Sequence, residues 1–244
     1  KTPALRSEVY EQLAEAQELA EAGKTGEALR ILDQLRDSQG RRALNSYELA
    51  NMYNFYAFVY YQKEQYARTI DAYQKLLQQP DIPVAMETSA YYSLAQLYFV
   101  TENYSQAIRY LKDWFNMAEN PQPDAYVLLA QAYYQTKQYD PALRNIEKAM
   151  ALARQKGKQP RENWFLLQRV LYYDKGDMKK VAQVLEGNYL TNPTFKTRML
   201  QNDVAHDPTI AIHEYGLTAV NGEVAPMARE IIDHLPTNSQ RSYR

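Results

Sequence analysis

Residues 128–143 read LLAQAYYQTKQYDPAL, with two tyrosines, Tyr133 and Tyr134, side by side at the centre. Neighbouring residues on an α-helix point about 100° apart, so one packing face cannot hold both rings. The doublet recurs as Tyr60-Tyr61, Tyr98-Phe99 and Tyr172-Tyr173. After it comes a short signature: an aromatic, two variable positions, a small residue and an aliphatic one. The signature is clear in EQYARTI (64–70), ENYSQAI (102–108) and KQYDPAL (137–143), and weaker in KTGEAL (24–29) and GDMKKVA (176–182).

The residues closing these signatures are Ala28, Thr69, Ala107, Ala142 and Val181, at intervals of 35 to 41 residues. Twelve positions before them lie Ala16, Ala57, Ala95, Ala130 and Arg169; four positions after lie Leu32, Tyr73, Leu111, Ile146 and Leu185. Small residues recur where two helices must touch, and large apolar ones recur around them. The apolar positions Leu94, Leu97 and Tyr98, then Ala107, Ile108, Leu111 and Phe115, follow a helical period. PDIP (80–83), NPQP (120–123), GKQP (157–160) and TNP (191–193) punctuate the units. Each unit therefore reads as two antiparallel helices joined by a tight turn, and such pairs must stack to bury their apolar faces.

In these positions the chain resembles the tetratricopeptide repeat (TPR) family, whose 34-residue pattern places a small residue, an aromatic and an alanine at matching points. The resemblance implies an all-α, right-handed TPR-type α-solenoid with five helix pairs over residues 1–190. For residues 191–244 the expectation is an irregular linker followed by a degenerate sixth pair at 209–236. There Gly216 would be the small first-helix residue, Asn221-Gly222 the turn and Ala228 the closing alanine.

The first helix of a TPR pair lines the concave groove, so the family places the first ring of each doublet in the stack and the second toward the groove. Periodicity supports the split, because Tyr133 shares a stripe with Tyr126, Leu129 and Ala130, whereas Tyr134 aligns with Val127 and Gln131. The same register gives a partner-binding groove of Asn51, Asn54, Phe58, Tyr61, Tyr92, Gln96, Phe99, Val127, Gln131, Tyr134 and Tyr173. Tyrosine offers broad contact with few torsions to freeze, and Asn and Gln can both donate to and accept from a peptide backbone. The competing account has the second rings pad the joints between repeats. Lys63 and Lys137 are almost the only bases on the first helices of units two to four, which argues against a clamp for a carboxylate terminus.

Composition narrows the function classes. The 28 basic and 29 acidic residues leave no basic excess for tracking phosphates, so nucleic acid is not an expected partner. No run of about eighteen apolar residues is present to span a membrane. Cysteine is absent, which removes disulfides, thiolate metal sites and thiol nucleophiles. His206, His213 and His234 cluster near acidic residues but lack the i, i+4 spacing of a helical metal site. No glycine-rich phosphate loop or nucleophile elbow occurs, so neither catalytic residues, metal nor cofactor are expected.

Four stretches carry a closer resemblance: TPALRSEVYEQLAEAQELAEAG (2–23), ALNSYELANMYNFYAFVYYQKEQYARTIDAYQKLL (43–77), YYSLAQLYFVTENYSQAIRYLKDW (91–114) and GKQPRENWFLLQRVLYYDKGDMKKVAQVLE (157–186). Together they are similar to proteobacterial periplasmic TPR proteins associated with TonB, ExbB and ExbD. That resemblance implies a non-enzymatic scaffold, accessory to TonB-dependent transport, in the periplasm after removal of a signal peptide. The alternatives are a cytoplasmic location, and a self-assembling protein whose groove receives its own C-terminal segment.

Overall fold

The computed structural model describes residues 4–198. Among these residues the secondary structure is helical, with no strand. The chain divides into two compact units, Lys1–Asn120 and Pro121–Arg244. The division falls in the ENPQP stretch that the sequence marks as punctuation.

The first unit holds three helix pairs: α1 (Ser7–Glu21) with α2 (Thr25–Arg36), α3 (Ser46–Gln62) with α4 (Tyr66–Leu77), and α5 (Val84–Val100) with α6 (Tyr104–Met117). A short 3-10 turn, Gly40–Arg42, lies in the long loop before α3. The second unit holds α7 (Pro123–Gln135) with α8 (Tyr139–Gln155), α9 (Glu162–Asp174) with α10 (Met178–Thr191), and then α11 (Pro193–Arg198). The expected sixth pair at 209–236 lies outside the described residues.

The small residues predicted to sit between helices do so. Ala16, Ala28, Ala57, Ala95, Ala107, Ala130 and Ala142 are completely buried, with Thr69 and Val181 nearly so. A methyl at these positions lets two backbones approach closely, and the larger side chains around them then interlock. In the first unit Leu13, Leu32, Met52 and Val59 form one core and Leu76 with Ala90 extends it between α4 and α5. In the second, Ile146, Met150, Trp164, Phe165 and Leu171 are the main body of the core.

The tight turns share one hydrogen-bond pattern, which explains why the doublets sit where they do. Glu64 N–H donates to the Tyr61 carbonyl and Gln65 N–H to the Tyr60 carbonyl, both at 2.9 Å. The same two bonds join Glu102 to Phe99 and Asn103 to Tyr98, Lys137 to Tyr134 and Gln138 to Tyr133, and Gly176 to Tyr173 and Asp177 to Tyr172. This is a Schellman cap, in which two otherwise orphaned carbonyls at the end of the first helix are satisfied by the turn. It requires a left-handed residue just past the helix, supplied by Gly176 in one turn and by Glu64, Glu102 and Lys137 in the others. The doublet therefore occupies the last turn of each first helix.

Within the segment from residue 191 that is expected to open as an irregular linker, Pro193–Arg198 form α11. Its start has a local cause: the Asn192 side chain accepts from Phe195 N–H at 3.1 Å, and Pro193 takes the first helical position, where its missing N–H costs nothing.

Candidate partner-binding face

The two rings of each doublet have different surroundings. The first rings reach into the stack. Tyr98 on α5 lies parallel to Tyr110 of α6, with ring centroids 5.4 Å apart, and its hydroxyl accepts from the Gln74 amide of α4 at 3.0 Å. Tyr60 stacks on Tyr56 at 5.8 Å, Tyr133 packs against the second core, as Tyr134 beside it also does, and the Tyr172 hydroxyl donates to Glu147 of α8 at 2.5 Å. Gln74 and Glu147 each lie five residues after a closing position, Thr69 or Ala142, so the contact repeats with the units. Burial, and then the Glu147 carboxylate, hold the Tyr172 hydroxyl above the usual tyrosine range.

The second rings lean on the turn instead. Tyr61 meets Tyr66 at 5.9 Å, Phe99 meets Tyr104 edge-on at 5.3 Å, and Tyr134 meets Tyr139 at 6.3 Å. In each case the partner is the first residue of the second helix of the same pair. Tyr61 remains 56% exposed and Tyr173 62%, while Phe99 and Tyr134 are half-buried. These contacts join the helices of one pair at their turn and leave an outer face of each ring in solvent. Burial, with the Asp174 carboxylate beside it, raises the Tyr134 hydroxyl above its ordinary value. The supporting rings Tyr66, Tyr104 and Tyr139 are the aromatics that open the repeat signature, but their contact with the second rings is not among the readings made from sequence. Their signal was the five-residue step from each second ring to the start of the next helix.

The remaining groove candidates divide. On α3, Asn54 is exposed and Phe58 half-buried against the first core. Asn51 turns back on its own helix, its amide donating to the Tyr47 carbonyl at 2.7 Å, which leaves its oxygen for another partner. On α5, Gln96 is exposed and Tyr92 half-buried, its ring 4.9 Å from Trp114 of α6. On α7, Gln131 is half-buried. Val127 is a correction: only 7% exposed, it belongs to the second core with Ala130, Leu143 and Trp164. The cause is that α7 packs against both α8 and α9, so its buried stripe is wider than one face. Val127 therefore cannot meet a partner from the surface.

In the first unit, the positions of α3 and α5 in the groove register carry no carboxylate and no base; Glu87, in the first turn of α5, lies off that register. The register positions are Asn51, Asn54, Phe58, Tyr61 and Gln62, then Ser89, Tyr92, Gln96, Phe99 and Val100. The second unit differs, because Asp124 at the start of α7 accepts from Arg161 through both carboxylate oxygens, at 2.8 and 3.3 Å. Among the described residues no three His, Cys, Asp or Glu side chains converge as metal ligands, and no helix is long and apolar enough to cross a membrane. His206, His213 and His234 lie outside the described residues.

Residues 84–149, spanning α5 to most of α8, match the family described as anaphase-promoting complex, cyclosome, subunit 3. None of the curated proteins matches the chain. Among solved structures, MamA 41-end from Desulfovibrio magneticus RS-1 is 18% identical, with 78% of this chain and 98% of that chain covered at a TM-score of 0.59. YrrB, a TPR protein described as having an unusual peptide-binding site, is 20% identical, with 84% and 91% covered at 0.58. A putative kinesin light chain of Podospora anserina with nearly identical TPR-like repeats is 15% identical, with 80% and 100% covered at 0.53. The fold of the chain is the TPR-type α-solenoid fold.

Proposed function

We propose that this protein is a non-enzymatic scaffold that takes an extended peptide or partner segment on the first-helix faces of its repeats. The observation that carries this reading is the uncharged aromatic and amide face of α3 and α5. In a chain in which 23% of residues are charged, ten positions of one register without a charge favour a partner held by ring contact and backbone hydrogen bonds. The peptide-binding site stated for YrrB agrees with such a use of the fold. In the first unit Asn54 and Gln96 would hold a partner backbone and Tyr61 and Phe99 would bury its apolar side chains; in the second unit Tyr134 and Tyr173 would offer the same kind of ring contact.

The setting we propose is TonB-dependent uptake, with a component of the TonB, ExbB and ExbD system as partner and the periplasm as location. Its support is the resemblance across residues 2–186. Two experiments test these levels separately. Selection from a displayed random-peptide library on the purified protein should enrich a shared motif. Its affinity should fall about tenfold in a Tyr61→Ala, Phe99→Ala double variant of unchanged helicity. Unaltered affinity would remove these rings from the site. Titration of the purified periplasmic segments of TonB and ExbD by calorimetry tests the setting, and absence of heat with both rejects it.

A further inference from the structure

An open depression of about 650 Å³ lies between the first half of α5 and the end of α6 in the first unit. Its floor is aromatic: Tyr92 and Trp114 are tilted against one another with centroids 4.9 Å apart. Met117 lines one side, and Thr88 and Ser89 present hydroxyl groups on another. The Thr88 hydroxyl already donates to the Val84 carbonyl at 2.7 Å, so toward the depression it offers lone pairs. Glu119 is the only charged residue in the lining; it is exposed and makes no ion pair among the described residues.

These features select one class of occupant. The face of an indole or phenol ring is negative and attracts a cation, as does a carboxylate. No base lines the site to hold an anion. A long basic side chain fits both requirements, with its methylene stem against Met117 and the rings and its head at Glu119. A planar guanidinium also stacks on indole, which an ammonium cannot do. We infer that this depression is the anchor site for an arginine side chain of the partner segment. The inference rests on the scaffold reading above, because Ser89 and Tyr92 belong to the same first-helix face.

The probe is N-acetyl-arginine methylamide, titrated into the full chain while the Trp114 indole N–H is followed by NMR. A Trp164→Phe variant identifies that signal, since these are the two tryptophans of the chain. A saturable shift is expected, with a dissociation constant on the order of millimolar. The uncharged N-acetyl-norleucine methylamide should bind about threefold more weakly, and Glu119→Gln should weaken arginine binding toward that level while leaving the ring contact in place. No saturable shift, equal binding of the two probes, or an unchanged arginine affinity in Glu119→Gln overturns the anchor. Library-selected peptides separate the two readings. Peptides that bind Glu119→Gln as tightly as the parent overturn the anchor and leave the scaffold standing. A library that yields no peptide while the arginine probe still saturates rejects the scaffold, and with it the partner segment, and leaves only an arginine-binding depression.

Discussion

The two units tie their neighbouring helix pairs together with the same device, placed at different depths. In the first, Arg6 at the start of α1 clamps Glu48 in the first turn of α3: its Nη2 and Nε groups and its backbone N–H all donate to that carboxylate, at 2.6 to 3.1 Å. In the second, Arg161 at the start of α9 holds Asp124 in the first turn of α7. The Glu48 side chain is fully buried, whereas Asp124 is 54% exposed. Glu48 also closes the capping box with Asn45, so one buried group both starts α3 and joins it to α1. An ion pair in solvent contributes little to stability, while a buried carboxylate with several donors is costly to disturb. The same motif is thus a keystone in one unit and an accessory in the other.

The sharpest way to break the comparison is Glu48→Ala, expected to destabilise the first unit by about 3 kcal/mol, with Arg6 left half in solvent. Asp124→Ala should cost less than about 1 kcal/mol. Chemical denaturation of variants that retain only Trp114 or only Trp164 would follow each unit by fluorescence. Comparable losses at both sites would show that burial does not set the difference.

Acid should reveal the same asymmetry. Burial pushes the Glu48 carboxyl up, but the hydrogen bonds from Arg6 and from the Asn45 backbone outweigh it and leave it below the usual glutamate value. A carboxyl lowered in the folded state contributes stability that is present at neutral pH and lost as pH falls through that lowered value. The Trp114 signal should therefore become acid-sensitive below the ordinary glutamate range, and Glu48→Gln should remove that dependence. Asp140, lowered by Lys175 at the surface of the second unit, should add only a minor acid dependence to Trp164.

Within each unit the doublets offer a finer comparison. Tyr98→Ala removes a stacked ring and the acceptor for Gln74, for a loss of about 2 kcal/mol. Tyr61→Ala removes a ring that is mostly in solvent and should cost under about 1 kcal/mol. Equal losses on denaturation would mean that the two rings are not divided between stack and surface. The smallest effect is at the turns, where Glu102→Gly and Lys137→Gly relieve a left-handed backbone and should each stabilise by about 0.5 kcal/mol or slightly more. Unchanged or lower melting temperatures would show that the left-handed residues carry no strain.

Much of this fold is legible in the chain because a repeat writes its packing several times. Ala57, Ala95 and Ala130 share a position, and a helix contact that demands a methyl there demands it in each unit. The different surroundings of Tyr60, packed on the first core, and Tyr61, 56% exposed, follow the same period. Less legible was what the second rings touch, because Tyr134 leans on Tyr139 across a turn that has to close first. Val127 was misplaced because helical periodicity identifies faces but not how many of them a neighbour covers.

The sequence by itself determined the helix pairs, their turns and the residues at which they meet, since these follow from local periodicity and from steric limits repeated every few dozen residues. Only the tertiary structure decided which faces are covered and how deeply. Glu48 illustrates the reason. Asn45 and Glu48 start α3 through hydrogen bonds three residues apart, but the burial of that carboxylate depends on Arg6, 42 residues earlier, and on three of its hydrogen bonds. Burial belongs to contacts between segments distant in the chain, and no local period encodes it.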